Sequence, residues 1–128
     1  MRVLLDTHIA LWAVVGSRRL APAARAAILA ADEVWVSVAS IWEIAIKHGL
    51  GRGDMPISSA MALQAFQDAG YGLLAIRPEH ALAVEGLALL HNDPFDRMLV
   101  AQALAEPLTL ITRDALVASY SDVIMKVF

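Results

Sequence analysis

The sequence predicts an α/β fold with a mostly parallel sheet. Short apolar runs of strand character alternate with longer segments of helical periodicity along almost the whole chain. Parallel strands need a crossover connection, and a helix is the usual one, so this alternation favours parallel pairing. The 128 residues fit one domain, spanning 1–128, which is large enough to form a core without disulfides.

The first strand and two helices are predicted within residues 1–31. Arg2–Leu5 is a short, largely apolar run, and Asp6 follows it with a side chain suited to beginning a helix. Gly16 closes that helix. The alanine-rich segment over 22–31 is predicted to be the second helix because it opens with proline, which is favoured in a first turn.

The middle of the chain contains two more predicted strands. Glu33–Ser37 is rich in β-branched and aromatic residues, which favour strands. A helix over 40–48 follows, and we expect its first residue, Ser40, to cap it. The helix predicted over 57–69 ends at a glycine-containing turn, and the apolar run over 73–76 is the third predicted strand.

The last third of the chain repeats the alternation. Helices are predicted over 78–90 and 94–105, because each segment opens with proline and has apolar residues at helical spacing. The run over 108–112 is the fourth predicted strand. A short helix over 114–120 then leads to a last strand over 123–127, which gives a sheet of four to five strands.

Composition restricts the cellular setting. Hydrophobic residues make up 59% and charged residues 18% of the chain, yet no apolar run approaches the roughly 18 residues of a membrane span. The absence of cysteine gives no disulfide framework, and the first apolar run ends too early for a signal peptide. We therefore expect a cytoplasmic protein without membrane association, whose apolar surplus covers a partner interface.

Four acids are the chemically informative residues: Asp6, Glu43, Asp96 and Asp114. Each lies where a strand or loop passes into a helix. In a parallel sheet such junctions lie at the carboxyl edge, where ligands of open α/β sheets bind. Clustered carboxylates repel one another unless a cation neutralises them, and Mg²⁺ prefers such oxygen ligands, as does Mn²⁺. The four acids therefore predict a metal site.

Each acid also has a purely structural interpretation as a helix cap. Ser40 and Glu43 match a capping box, and Asp93 with Asp96 matches a cap followed by a first-turn acid. Capping does not exclude metal binding, because the positive end of a helix keeps a carboxylate ionised. Net charge does not exclude a nucleic-acid partner either, since the formal charge of −3 includes the four candidate ligands.

The sequence segments around these acids resemble those of the PIN-domain ribonucleases, and most closely those of the VapC-type toxins of bacterial toxin–antitoxin pairs. The resemblance covers nearly the whole chain through four segments: LLDTHIALW, VSVASIWEIAIK, HNDPFDRMLVAQA and LTLITRD. It implies a PIN-like three-layer α/β/α sandwich. It also implies that Asp6, Glu43, Asp96 and Asp114 form a catalytic metal site that Mg²⁺ or Mn²⁺ occupies.

The resemblance assigns further residues around the acids. Thr7 and Thr112 are expected to support the site, and Asp93 is expected to cap the helix that carries Asp96. Arg97 and Arg113 follow two candidate ligands directly, so they are candidates either for contacting substrate phosphate or for balancing charge. The two nearby histidines, at positions 8 and 91, are left out of the catalytic set because a lone histidine is more often structural.

The preferred function is a metal-dependent endoribonuclease, the toxin of a toxin–antitoxin pair, in which a metal-activated water attacks the phosphodiester. By resemblance, Glu43 completes the metal shell or takes the water's proton, and the substrate is a structured RNA such as a transfer RNA. Two alternatives remain: a noncatalytic RNA- or protein-binding module, and a phosphohydrolase that uses Asp6 as its nucleophile. A phosphatase usually has a second acid two residues after the first, where this chain has His8.

Two protein partners are expected, a cognate antitoxin and a second copy of the chain. The high apolar fraction and the tryptophans Trp12, Trp35 and Trp42 exceed what a monomer of this size is expected to bury. The first helix and the helix over 40–48 adjoin the acids in sequence. We therefore expect a groove there that accepts an inhibitor peptide, which can insert an arginine among the acids.

Overall fold

The computed structural model describes residues 1–127 and contains a five-stranded sheet in which every neighbouring pair is parallel. The strand order is β3-β2-β1-β4-β5. The strands are β1 (Arg2–Leu5), β2 (Glu33–Ser37), β3 (Gly72–Leu74), β4 (Thr109–Thr112) and β5 (Met125–Lys126). The predicted parallel α/β architecture is confirmed, with helices covering both faces of the sheet.

Seven helices connect or follow these strands within the described part of the chain. Their bounds are α1 (Thr7–Val15), α2 (Pro22–Ala30), α3 (Val38–Gly49), α4 (Ser59–Asp68), α5 (Pro78–Glu85), α6 (Pro94–Ala105) and α7 (Ala115–Ala118). None of the helices in residues 1–127 combines the length and apolarity that a membrane span requires.

Two apolar cores, one on each face of the sheet, hold the three layers together. In β1, Val3 and Leu5 face one core while Leu4 faces the other. This is the alternation expected of a strand buried on both sides. The first core includes residues of α1 to α4, and the second is built mainly from α6 and α7. The central strand is thus fixed from both faces.

The prediction that Ser40 caps α3 is wrong. Ser37, the last residue of β2, is the N-cap, and its Oγ accepts a hydrogen bond from the Ala39 amide at 3.0 Å. Ser40 and Glu43 are buried inside the helix and face α1. The chain becomes helical directly after β2, so the capping-box pattern at Ser40 does not mark the start of the helix. The side chains of Ser40 and Glu43 are therefore available to a buried site.

Helix α5 is shorter than predicted, ending at Glu85 and not at residue 90. After Gly86, the carbonyls of Leu87 and Ala88 accept hydrogen bonds from the Arg97 guanidinium, at 3.5 Å and 3.0 Å, and so turn away from a helical path. The other elements match their predicted segments and differ mainly in bounds, most at the edge strands β3 and β5, which pair on one side only.

Candidate active site

A cleft of about 480 Å³ contains all four candidate acids at the carboxyl edge of the sheet. Asp6 follows the central strand β1, Asp114 follows β4, Glu43 lies in α3 after β2, and Asp96 lies in the first turn of α6. Strands β2 and β4 flank β1 on opposite sides, so the chain's crossovers diverge here and leave a crevice. The topology therefore brings these four side chains together.

Asp6 is held by the neighbouring strand. Its Oδ2 accepts a 2.7 Å hydrogen bond from Thr112 Oγ1, and its Oδ1 accepts from the His8 amide at 3.4 Å. Thr112 Oγ1 in turn accepts from the Asp114 amide at 3.0 Å, so this threonine links two acids of the cleft. Burial raises the pKa of Asp6 despite the Thr112 hydrogen bond, and the charge of Glu43 adds to the rise.

Glu43 is positioned by a chain of hydroxyl groups. Thr7 Oγ1 donates to Glu43 Oε1 at 2.6 Å, and because that hydroxyl has one proton, the Ser40 hydroxyl is the donor in its 2.8 Å contact with Thr7. Lys47, one turn further along α3, donates its ammonium to Glu43 Oε2. Both carboxylate oxygens of Glu43 therefore have partners, and one of these is a cation.

Asp96 has a strongly perturbed carboxyl group. Burial raises its pKa to about 7, and the charges of Asp6, Asp93 and Glu43 add to the rise. In the absence of a cation, Asp96 is thus protonated in a large fraction of molecules at neutral pH. A carboxyl group whose pKa is raised in this way has too little positive charge close to it to offset its burial and the charges of the neighbouring acids.

Asp114 and Asp96 share a contact with His91. The Nε2 atom of His91 lies 3.1 Å from Asp114 Oδ2 and 3.2 Å from Asp96 Oδ2. Burial acts to raise the pKa of Asp114, but the hydrogen bond from His91 and those from the Val117 and Leu116 amides outweigh it and lower the pKa. Asp114 therefore stays ionised where Asp96 does not.

Asp93 is the N-cap of α6, and its Oδ1 accepts from the Phe95 amide at 2.8 Å and from the Asp96 amide at 3.3 Å. Its side chain also borders the cleft. Because this cap fixes the backbone of the first turn of α6, it also fixes the position of Asp96, which lies in that turn.

The expectation that Arg97 contacts substrate phosphate or balances the acids requires correction. Arg97 is not among the residues that line the cleft, and its guanidinium donates to backbone carbonyls in the last turn of α5 and in the segment after it, including Val84 O and Ala88 O at 3.0 Å each. It also donates to the Tyr120 hydroxyl at 3.0 Å. The side chain is therefore occupied in holding a loop. Sequence adjacency to Asp96 was misleading, because neighbouring residues of a helix project in different directions.

Arg113 does border the cleft. Its guanidinium lies over the Trp12 ring, 5.1 Å from the centroid, and the side chain is exposed. Arg19 lines the same wall. Two arginines beside an aromatic ring form a basic rim next to the acids, a combination that suits a phosphate backbone carrying bases.

Sequence reasoning missed the cleft residues Lys47, Arg19 and Asp54, and it left out His91, which contacts two of the acids. Lys47 lies four residues after Glu43, and this helical spacing was a usable signal for an ion pair. His91 was left out because a lone histidine is more often structural, and nothing in its local sequence reveals the contacts with two acids. Arg19 lies in the segment between α1 and α2, and no local pattern places it at the cleft.

The donor set fits a hard divalent cation. Four carboxylates border one cleft, and burial together with the charges of the neighbouring acids raises the pKa of Asp96, a condition that a bound cation would relieve. Oxygen ligands of this kind favour Mg²⁺ or Mn²⁺ over softer metals. The arrangement can therefore place a cation and a phosphate group side by side.

Fold and cleft together define an α/β domain with a carboxylate-lined site at the switch point of a parallel sheet. The sequence pattern of the PIN domain matches residues 3–122 of the chain. The chain therefore belongs to the PIN-domain family.

Comparisons with characterised proteins agree with that membership. Ribonuclease VapC22 of Mycobacterium tuberculosis (strain ATCC 25618 / H37Rv) is 32% identical over 119 residues, which cover 92% of this chain and 91% of that protein. Among solved structures, VapBC2 from Rickettsia felis, bound to a DNA fragment from their promoter, aligns with a TM-score of 0.71 at 16% identity, covering 98% of each chain. A toxin-antitoxin complex from Klebsiella pneumoniae aligns with a TM-score of 0.65 at 20% identity, covering 97% of this chain and 96% of that one. At these identities the two structures support the fold alone.

Proposed function

We propose that the chain is a divalent-cation-dependent endoribonuclease and the toxin of a toxin–antitoxin pair. The observation that carries the proposal is the convergence of four carboxylates in one cleft, where the pKa of Asp96 is raised to about 7 without a cation. The name of the relative in Mycobacterium tuberculosis supports ribonuclease activity. Structural relatives that are toxin–antitoxin complexes support the toxin role.

Asp6, Asp96 and Asp114 would hold the cation, with Glu43 completing its shell. A bound Mg²⁺ or Mn²⁺ supplies positive charge that offsets the charge building on phosphate oxygens and makes water more acidic. Thr112 orients Asp6 and the Asp114 backbone, while Thr7 orients Glu43.

Lys47 and the basic rim have separate roles in this proposal. Both Glu43 oxygens already accept hydrogen bonds, one of them from the Lys47 ammonium, which favours a place in the shell of the cation over the role of a general base. Lys47 keeps a positive charge beside it. Arg113 and Arg19 bind RNA phosphates at the mouth of the cleft, and the Trp12 ring beneath Arg113 keeps the guanidinium in place. A structured RNA such as a transfer RNA is the proposed substrate class.

The two alternative functions have less support. A phosphohydrolase that uses Asp6 as its nucleophile would usually have a second acid two residues later, where this chain has His8. A module that only binds RNA or protein has no need for four acids whose mutual repulsion disfavours ionisation of Asp96.

A parallel assay separates the three functions. We expect the purified chain to cleave structured RNA in Mg²⁺ and to stop when EDTA removes the metal, with no hydrolysis of an aryl phosphate under the same conditions. Hydrolysis of the aryl phosphate alone would favour the phosphohydrolase. RNA binding without cleavage at any Mg²⁺ or Mn²⁺ concentration would favour the noncatalytic module.

We also propose an antitoxin and a second copy of the chain as protein partners. The structure buries Trp12 but leaves Trp42 59% exposed on α3, where its ring packs edge-on against Phe95 at 5.1 Å between centroids. Ala39, Ile76 and neighbouring side chains continue this patch into an apolar depression of about 250 Å³. An exposed tryptophan in an apolar patch is typical of an interface centre.

The oligomeric state is open to direct measurement. We expect light scattering to give the mass of a dimer at micromolar concentration, and Trp42→Ala to shift the chain toward a monomer because it removes the large ring from the patch. Leu29→Ala, at another exposed apolar side chain on α2, is the matched control and should leave the mass unchanged. A monomeric mass for the unchanged chain at high micromolar concentration would contradict self-association.

A further inference from the structure

His91 occupies the position between two of the candidate ligands. Its Nε2 donates to Asp114 Oδ2 at 3.1 Å and lies 3.2 Å from Asp96 Oδ2. The ring is half-buried, in the segment between α5 and α6. On distance alone, His91, Asp96 and Asp114 form a cluster that can hold a metal ion, because one atom from each lies within 4.8 Å of the others.

The other ring nitrogen fixes which atom of His91 bears the proton. The Asp93 amide donates to His91 Nδ1 at 3.0 Å, so the lone pair of Nδ1 is already in use. A neutral ring that accepts at Nδ1 has its hydrogen on Nε2. The surroundings of Nε2 support this position of the hydrogen, because a lone pair on Nε2 would face two carboxylate oxygens and be repelled by them.

This tautomer prevents His91 from acting as a metal ligand in its present orientation. Coordination through Nε2 would require the lone pair on Nε2 and the hydrogen on Nδ1. The Nδ1 hydrogen would then point at the Asp93 N–H, where two donors meet and neither has an acceptor. His91 is therefore suited to donate toward the ligands and not to join them.

The fold also fixes the backbone of His91. Its amide donates to the Tyr120 hydroxyl at 3.0 Å, and its carbonyl accepts from Arg97 at 3.4 Å. The ring position is thus set from α6 and from the segment after α7, independently of the acids. A donor held in this way can impose a separation on the two carboxylates.

We propose that His91 is a positioning residue whose Nε2–H holds Asp96 and Asp114 together as oxygen ligands for a divalent cation, and that it is not itself a ligand. The inference rests on the cation site of the proposed function. Without this donor no shared hydrogen-bond partner would hold the two carboxyl groups at one separation, and binding a cation would require bringing them together first. Partners that orient metal ligands in this way typically contribute about 10- to 100-fold to metal affinity.

Two substitutions separate the two hydrogen bonds of the ring. The Asn side chain in His91→Asn can place its oxygen near the former Nδ1 and accept from Asp93, but it is too short to donate to Asp114. The Gln amide in His91→Gln can reach the former Nε2 position and donate to the acids. We expect Mn²⁺ affinity, measured by calorimetry, to fall about 10- to 100-fold in His91→Asn, and to return close to the original value in His91→Gln.

A spectroscopic measurement on the unchanged protein tests the second half of the proposal. Electron spin echo spectra of bound Mn²⁺ should show no coupling to a directly bonded imidazole nitrogen. Such a coupling, or equal Mn²⁺ affinity in His91→Asn and the unchanged chain, would overturn the positioning role while leaving the cation site intact. Failure of the unchanged chain to bind Mn²⁺ at all would overturn both this inference and the proposed function. The spectrum needs no variant, so the test stands even if one of them fails to fold.

Discussion

Asp96→Asn is expected to reduce RNA cleavage by roughly 10²- to 10³-fold, a loss typical of removing a principal electrostatic group, and also to make the cation-free protein more stable. The first effect follows from loss of a ligand charge in the cleft. The second follows from the pKa of Asp96, which burial and the charges of Asp6, Asp93 and Glu43 raise from 3.8 to about 7. Asp6→Asn should likewise abolish cleavage, because Asp6 is the buried acid at the centre of the sheet.

The sign of the pH dependence is determined by that pKa. Because the folded-state pKa lies above the unfolded one, the native protein retains a proton that the unfolded chain releases between about pH 4 and pH 7. Stability of the cation-free protein should therefore fall as pH rises through this window. Asn has no charge to accommodate, so Asp96→Asn should gain ~2 kcal/mol at pH 8, or roughly 5 to 10 °C in melting temperature.

Thermal melts in EDTA at pH 5 and pH 8, with cleavage assays in Mg²⁺, measure both effects. Asp68→Asn is the matched control, because Asp68 is exposed on α4 and contacts only Gln64 among the hydrogen bonds described, so neither quantity should change. Full cleavage activity in Asp96→Asn, or a loss of stability at pH 8, would show that Asp96 is a structural acid of the first turn of α6 and not part of a cation site.

Arg97→Ala is expected to destabilise the fold by about 3 to 5 kcal/mol, close to the total stability of many small domains. The guanidinium donates to four backbone carbonyls around the end of α5 and to the Tyr120 hydroxyl. Removing it takes away the donor described for the carbonyls of Leu87, Ala88 and His91, and each costs about 1 to 3 kcal/mol if water does not replace the contact. The same loop carries His91, so the cation site should also loosen.

Arg97→Lys should recover only part of the lost stability, because an ammonium group cannot reproduce the planar set of donors. Arg113→Ala is the control: its side chain is exposed and stacks on Trp12, so we expect a stability change within about 0.5 kcal/mol but weaker RNA binding. Chemical denaturation followed by circular dichroism gives both free energies of unfolding. Equal stability of the two alanine variants would contradict the role assigned to Arg97.

The architecture and the four acids could be predicted because both depend on local patterns. Apolar runs that end in an acid before a helix place that acid at the carboxyl edge of a parallel sheet, whatever the order of the strands. This reasoning located Asp6 directly after β1 and Asp114 two residues after β4. Glu43 and Asp96 were predicted from the same transitions, but their sequence surroundings are equally compatible with capping, and the family resemblance favoured the metal site.

The misassigned features depend on contacts between distant segments. Ser40 has the sequence signature of a cap, but the end of β2 brings α3 into register one turn earlier and buries Ser40 against Thr7. The direction of the Arg97 side chain depends on where the segment after α5 runs. The tautomer of His91 depends on a single amide two residues away. No periodicity or composition encodes these geometries.

The chemical nature of the RNA product tests most directly the claim that the chain hydrolyses RNA with water and a divalent cation held by the carboxylates. The cleft contains His8 as well as carboxylates, and a histidine mechanism that uses the ribose 2′-hydroxyl would produce a cyclic phosphate without any cation. Cleavage in ¹⁸O-labelled water with Mg²⁺, followed by mass spectrometry of the new ends, distinguishes the two. The carboxylate site predicts one ¹⁸O atom in the new terminal phosphate and no product in EDTA. A 2′,3′-cyclic phosphate without label, formed equally in EDTA, would contradict the account.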